Sequence, residues 1–224
     1  MTALETELRQ AGVEEAFVEP LELYAELVLQ ENRRFNLTGA KNAAELAAHL
    51  LDSLTVAPFV APPYVDVGSG AGFPAIPVLI STGVQTTLIE SNSKKARFLE
   101  TAARRLGLRA TVIPERAESA GRREDLRDRF ASGTARAVAS APAAAELLLP
   151  FIAPGGLAIL QQGRLEAAER QALEDAVLVL GGRFEGERIV EGERRLVLVR
   201  KEAPTPIRFP RRTGIPQKRP LCST

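Results

Sequence analysis

Asp66, Gly68, Ser69, Gly70, Gly72 and Glu90 are the residues whose types and spacing could do chemistry. The stretch Val65-Asp66-Val67-Gly68-Ser69-Gly70-Ala71-Gly72-Phe73-Pro74 follows a short apolar run and opens a helical one. Glycines in such a turn let the backbone fold back sharply and leave no side chain between main chain and ligand. Glu90 closes the next apolar run, 22 residues after Gly68, where a carboxylate can accept hydrogen bonds from both hydroxyls of a ribose. Together they point to a nucleoside cofactor at the C-terminal edge of a sheet.

The spacing narrows the cofactor. A dinucleotide loop runs G-x-G-x-x-G, whereas this one runs G-x-G-x-G with Asp66 two residues ahead of Gly68. A pyrophosphate is repelled by a neighbouring carboxylate. S-adenosylmethionine has no phosphate, and its ammonium and sulfonium groups suit an acid. It is the expected cofactor, with a nicotinamide cofactor as the weaker alternative. A third alternative leaves Asp66 merely capping the loop. No Gly-Lys-Ser/Thr follows, which excludes a phosphate-binding P-loop. The absence of an Asn/Asp-Pro-Pro-Tyr/Phe motif argues against methylation of exocyclic amines. The absence of a Pro-Cys or Thr-Cys loop argues against covalent attack on a pyrimidine.

The flanking sequence must position that loop. Leu4, Leu8 and Ala11, then Leu21, Tyr24, Leu27 and Val28, recur at helical spacing, and Leu46, Leu50 and Leu54 resume the pattern. Residues 35–38 interrupt it as a loop. From residue 64 strands and helices alternate. Strands are expected at 64–67, 86–89, 110–113, 136–139 and 157–160, with helices at 75–81, 94–106, 143–152 and 165–180. A hairpin at 184–190 and 195–200 turns at Glu191-Gly192-Glu193. The expected fold is α/β: a mainly parallel sheet with helices on both faces, an antiparallel edge hairpin and an N-terminal helical lobe. The expected units are the lobe at 1–60, a cofactor-binding core at 61–202 and a basic arm at 203–224. Residues 122–129 read as an exposed charged helix or loop.

Composition sets the outer bounds. The 224 residues are 45% hydrophobic and 25% charged, enough for a sizeable core, with a net charge of +1. One His and one Cys exclude a disulfide framework and a zinc site built from these residue types, so no metal is expected. Cys222 is poorly placed for a nucleophile. No run of 18 apolar residues and no signal pattern occurs, so a soluble cytoplasmic protein without a membrane partner is expected, and a monomer. The charge is uneven: residues 1–60 carry a net −6, and residues 200–224 a net +6 with five of the 15 prolines. Such a tail is either a solvated end or an arm that meets phosphates, with Ile207, Phe209, Ile215 and Leu221 available to dock it. As an arm, its removal from residue 208 onward is expected to weaken RNA binding and spare the cofactor. His49 reads as a hydrogen-bonded packing residue between lobes rather than an acid or base, and Asn36 as a loop or cap residue.

Several blocks together resemble the bacterial small-subunit ribosomal RNA guanine-N7 methyltransferases, the glucose-inhibited division protein B family. They are Asn36-Leu37-Thr38, His49-Leu50-Leu51-Asp52-Ser53-Leu54, Asp66 through Pro77, Ser93-Lys94-Lys95, Ala117-Glu118, Ala135-Arg136-Ala137-Val138-Ala139 and Phe209-Pro210-Arg211-Arg212-Thr213-Gly214-Ile215-Pro216. The resemblance implies a Rossmann-like class I methyltransferase fold and methyl transfer to N7 of one guanine in 16S ribosomal RNA. The partner would be that RNA or the 30S subunit. It implies that Gly68 and Phe73 line the cofactor site and that Glu90, Ser91 and Asn92 hold the ribose. Ala117 and Glu118 would flank the adenine. Arg136 would face the cofactor or the RNA as the positioning group, with no catalytic base. Lys94, Lys95, Arg211, Arg212, Lys218 and Arg219 are the expected RNA contacts. The chain departs from the family at Leu160-Gln161-Gln162-Gly163, where Leu-Lys-Gly is usual. The same cofactor with a small-molecule acceptor, and a cofactor-binding RNA chaperone, remain the alternatives.

Overall fold

The computed structural model describes residues 2–191 and 193–221, so Cys222 and the turn residue Gly192 lie outside it. Three helices come first. α1 (Ala3–Gln10) starts on a reciprocal cap: the Thr2 side chain accepts the Glu5 N–H, and the Glu5 carboxylate accepts the Thr2 N–H. α2 (Glu15–Asn32) buries Val18, Leu21, Tyr24, Ala25 and Val28 along one stripe. α3 (Ala43–Leu54) opens on the Asn42 side chain, which accepts the Glu45 N–H. Their apolar faces share a single cluster with the sheet layer. Leu8, Leu21, Leu46 and Leu50 pack in one body with Tyr64, Ile76, Leu79, Leu99 and Leu157.

β1 (Tyr64–Val67), α4 (Ala75–Thr82), β2 (Thr86–Ile89), α5 (Ser93–Arg105) and β3 (Ala110–Ile113) follow in alternation. The short helix α6 (Ala117–Ala120) leads to β4 (Phe130–Arg136), α7 (Ala141–Leu148), β5 (Ile152–Gln162), α8 (Ala167–Val179), β6 (Gly182–Glu191) and β7 (Arg194–Lys201). The sheet order is β3-β2-β1-β4-β5-β7-β6. β1 to β5 pair in parallel, and β7 runs antiparallel between β5 and β6. A second apolar cluster covers the other face, with Val65, Val67 and Ile89 against Leu148, Leu173 and Val177. This is the doubly covered α/β sheet with a reversed edge strand that the alternating pattern implied.

Two expected elements move. The fourth strand runs Phe130–Arg136 rather than 136–139. It ends where Ala137 turns left-handed at φ 52°. Its centre, Ser132-Gly133-Thr134, reads as polar but is buried, because tertiary partners satisfy it. Ser132 Oγ accepts the Ala61 N–H at 2.9 Å and donates to the Ala61 carbonyl at 2.7 Å. At Gly133 an added Cβ would lie 2.8 Å from Val65 and Ile152. The helix expected at 143–152 stops at Leu148, passes through a 3-10 turn at Leu149–Phe151, and gives way to β5 at Ile152.

The basic tail is docked. Arg127 donates to the carbonyls of Phe209, Gly121 and Thr205 at 2.9, 2.8 and 2.6 Å, and Arg122 reaches those of Ile207 and Arg208. Residues 122–129, expected as an exposed charged segment, therefore clasp the tail. Phe209 is buried and Ile207 is 79% exposed, so only the first of these two anchors docks. Lys201, fully buried, donates to the Leu149 carbonyl at 2.7 Å and lies 3.4 Å from Asp128. Burial lowers its pKa to about 8. The tail ends in a short helix, α9 (Ile215–Lys218).

Candidate active site

The glycine loop leaves β1 at Val67 and folds back over the tip of β2. The Gly68 and Ser69 amides donate to the Ile89 carbonyl at 2.9 and 3.2 Å. Gly68 sits at φ 73°, and a Cβ there would come within 2.6 Å of Val138 Cγ2. Gly72, at φ 99°, lets Tyr24 approach: a Cβ would lie 2.8 Å from its hydroxyl, which donates to the Ala71 carbonyl at 2.6 Å. Only glycine tolerates both demands. Tyr24 is fully buried, and desolvation raises its pKa well above the phenolic range, so it stays a neutral donor that pins the loop to α2.

Glu90 is buried at the end of β2 with both oxygens engaged. Oε2 accepts the Gly70 N–H at 2.8 Å, and Oε1 accepts the Asn92 N–H at 2.7 Å. Each carboxylate oxygen has two lone-pair directions, so one remains free on each. The Asn92 side chain is occupied elsewhere: it caps α5 by accepting the Lys94 and Lys95 amides. Asp66 is 1% exposed inside β1. Its Oδ1 accepts from the Thr134 hydroxyl at 2.6 Å and its Oδ2 has no partner. Burial raises its pKa to about 6, against the pull of Thr134.

Two cavities meet at Gly68. The larger, about 430 Å³, is bounded by Leu37, Thr38 and Gly39 from the α2–α3 loop and by Ser69, Gly70 and Ala71 from the glycine loop. His49, Phe73, Lys95 and Arg136 complete it. The smaller, about 60 Å³, lies between Gly68, Glu90, Ser91, Ala117, Glu118 and Gln217. A carboxylate with an unused lone pair on each oxygen, beside a glycine-rich loop and a small cavity of mixed polar and apolar lining, fits the ribose and adenine of S-adenosylmethionine.

A polar constellation closes the larger cavity. Arg136, at the tip of β4, lies 3.2 Å from Asp52 Oδ2, and its Nη2 donates to His49 Nδ1 at 2.8 Å. Its guanidinium stands 5.9 Å from the Phe73 ring centroid. Burial lowers the pKa of Arg136 while Asp52 opposes the shift. The His49 pKa is lowered by burial and then by Arg136, so the ring is a neutral acceptor. His49 thus bridges α3 and β4 as expected of a packing residue, and it also faces the cavity. Asp52 is held in turn by Gln161, whose Nε2 donates to the Asp52 carbonyl at 3.2 Å.

The expected RNA contacts divide. Lys94 is exposed, 6.0 Å from the Phe35 ring centroid, and Lys95 stands on the rim of the larger cavity. Arg212, Lys218 and Arg219 are exposed. Arg211, partly exposed, pairs with Glu146, a fully buried carboxylate that it reaches at 2.6 Å. The expectation that the tail is separate from the cofactor site is corrected. The Gly214 amide donates to Glu118 Oε1 at 2.8 Å and Gln217 donates to the Val138 carbonyl at 3.2 Å. The tail therefore walls the smaller cavity, and its removal cannot spare that site.

Tyr24, Asp52, Asn32 and Gln217 were not singled out for the site by their sequence context. Tyr24 reads as helix core, Asp52 lies in a resembling block without an assigned role, and Asn32 and Gln217 lack a local motif. Asn32 organises the loop that carries Leu37–Gly39: its Oδ1 accepts the Leu37 and Thr38 amides at 2.9 and 3.0 Å, and its Nδ2 donates to the Ala40 carbonyl at 2.8 Å. Asn36 is exposed in that loop. Among the described residues there is no cluster of metal-ligating side chains, and no helix is long and apolar enough to cross a membrane.

Comparison with known proteins bears on this geometry. The family model described as rRNA small subunit methyltransferase G matches residues 18–197. The ribosomal RNA small subunit methyltransferase G of Pelotomaculum thermopropionicum is 41% identical, the alignment covering 95% of this chain and 95% of that protein. Those of Symbiobacterium thermophilum and Deinococcus deserti are 40% and 39% identical, covering 97% and 96% of this chain and 96% of each relative. Among solved structures, the mitomycin 7-O-methyltransferase MmcR shares the fold with a TM-score of 0.56 at 16% identity, covering 82% of this chain and 69% of that one. A branched-chain polyamine synthase from Thermus thermophilus does so at 0.57 and 12%, covering 81% and 64%.

Proposed function

Because the chain belongs to the rRNA small subunit methyltransferase G family, we infer that it transfers a methyl group from S-adenosylmethionine to N7 of one guanine in 16S ribosomal RNA. It is an S-adenosylmethionine-dependent rRNA methyltransferase. An RNA substrate of this kind fits the expected cytoplasmic location. The observation that carries the reading is the Glu90 carboxylate, each of whose oxygens accepts one backbone amide, from Gly70 or Asn92, and keeps a second lone pair.

In this reading Glu90 takes the two ribose hydroxyls. The glycine loop, through Gly68, Ser69 and Gly70, supplies backbone where the cofactor lies closest. Ser91, Ala117 and Glu118 border the adenine, and Gln217 closes that end. Asp66 acts on the amino-acid end from behind the loop, and Asn92 contributes through its amide on Glu90. Phe73 floors the acceptor side. The bound cofactor supplies a methyl already activated on a sulfonium centre.

The protein's task is then alignment and exclusion of water, which together can contribute roughly 7–11 kcal/mol. Guanine N7 carries a lone pair and no proton, so no base is needed. Arg136, locked by Asp52 and His49, has donors left for the guanine carbonyl O6, and is the positioning group. Asp52 offsets its charge, so the guanine that turns cationic meets no net repulsion. Lys94, Lys95, Arg212, Lys218 and Arg219 meet phosphates. We read residues 61–202 as the core of this chemistry, 1–60 as the helical part that roofs it, and 203–224 as a docked tail with a basic outer face.

The test is transfer of labelled methyl from the cofactor to 30S subunits, naked 16S RNA and small metabolites in parallel. Label at guanine N7 of the RNA is expected. Label confined to a small metabolite, or cofactor binding with no transfer to any RNA, overturns the reading.

A further inference from the structure

A second basic groove adjoins the larger cavity. It has a volume of about 420 Å³ between the end of α2 and the first turns of α5. Arg34, Lys94 and Arg97 supply three cations, and Glu31 is the one acid, 3.3 Å from Arg34. Phe98 is buried beneath it. Phe35 is partly exposed above, with the Lys94 ammonium 6.0 Å from its ring centroid. Arg34 comes from an N-terminal region whose net charge is −6, while Lys94 and Arg97 come from α5, whose first turn holds no acid.

The groove and the cavity share the same two elements. The α2–α3 loop gives Phe35 to the groove and Leu37 to the cavity; α5 gives Lys94 to one and Lys95 to the other. Lys94 and Lys95 are consecutive, and Phe35 and Leu37 are two residues apart, so the groove and the cavity are neighbours on the surface. Asn32 organises the loop by three hydrogen bonds, to Leu37, Thr38 and Ala40. An aromatic side chain in a groove with cations is the arrangement that takes a single-stranded nucleotide, stacking its base and neutralising its phosphates.

We propose that this groove is a second RNA subsite, in which Phe35 stacks the base next to the methylated guanine while Arg34, Lys94 and Arg97 neutralise the adjoining phosphates. The proposal rests on the chain being an RNA methyltransferase, and its test separates the two. Wild type, Phe35→Leu, Phe35→Tyr and the triple variant Arg34→Gln/Lys94→Gln/Arg97→Gln are compared in three measurements. These are anisotropy of a labelled single-stranded RNA across salt concentrations, methyl transfer to 16S RNA, and cofactor affinity by calorimetry.

Phe35→Leu is expected to weaken RNA binding at least about fivefold, with Phe35→Tyr restoring it. The triple variant is expected to flatten the log–log salt slope by about 2. Cofactor affinity stays at the wild-type value in all. Unchanged RNA affinity and salt slope in these variants overturn the subsite even where methylation proceeds. Loss of RNA affinity in Phe35→Leu, in a wild-type protein that methylates no RNA, upholds the subsite and overturns the function. Displacement of the RNA from wild type by an acidic peptide at equal charge, with no difference for Phe35→Leu, also overturns the subsite.

Discussion

Replacing Arg211 by leucine isolates what the docked tail contributes. Glu146 is fully buried, and its Oε1 accepts the Arg211 amide at 2.8 Å and Nε at 2.9 Å, while Oε2 accepts Nη2 at 2.6 Å. The leucine variant keeps only the backbone amide, so an uncompensated carboxylate stays inside. Breaking a buried pair from one side costs about 3–5 kcal/mol. A domain of this size holds on the order of 5–15 kcal/mol, so the variant folds but its urea midpoint falls sharply. The chain has no Trp, which makes far-UV circular dichroism the readout. The double variant Arg211→Leu/Glu146→Leu removes both charges and is expected within about 1 kcal/mol of wild type. Cofactor affinity should follow stability, since Gly214 and Gln217 reach the smaller cavity from the same tail. A single variant that loses less than about 1 kcal/mol, or a double variant no more stable than the single, refutes the reasoning.

Glu90→Ala should weaken cofactor binding roughly 10- to 100-fold by calorimetry, as two hydrogen bonds to a charged acceptor are lost; an unchanged dissociation constant contradicts the ribose assignment. Asp66 titrates at about 6 in the fold against an ordinary value of 3.8, so the folded protein binds this proton more tightly and loses stability as pH rises from 3.8 through 6. Asp66→Asn should therefore gain on the order of 2–3 kcal/mol relative to wild type between pH 4 and pH 8 in the cofactor-free protein, and urea midpoints that move in parallel rule this out. Arg136→Lys loses the planar fork shared between Asp52 and His49, and kcat should fall at least about tenfold with little change in stability; a kcat within twofold of wild type removes Arg136 as the positioning group.

The first three strands, at Tyr64–Val67, Thr86–Ile89 and Ala110–Ile113, are legible because each is a short apolar run bounded by turn residues. The fourth hides because Ser132 and Thr134 are buried by partners far away in sequence, Ala61 and Asp66. The site divides the same way. The glycine loop and Glu90 are local features, each readable within one strand-turn-helix unit. The group formed by His49, Asp52 and Arg136 spans more than 80 positions, and only packing of α3 against the sheet assembles it. The pairing of Arg211 with Glu146 was not legible, because a basic run reads alike whether its charges face solvent or a buried acid.

The wall that Gln217 adds beside Val138 ties the pocket to the order in which the chain is made. Strands β1 to β4 can pair as they leave the translating ribosome, since their contacts are already synthesised. The smaller cavity lacks its Gln217 wall until residue 217 has emerged and Arg122 and Arg127 have gripped the segment before it. Nascent copies still lacking that stretch hold a nearly finished sheet with an incomplete pocket.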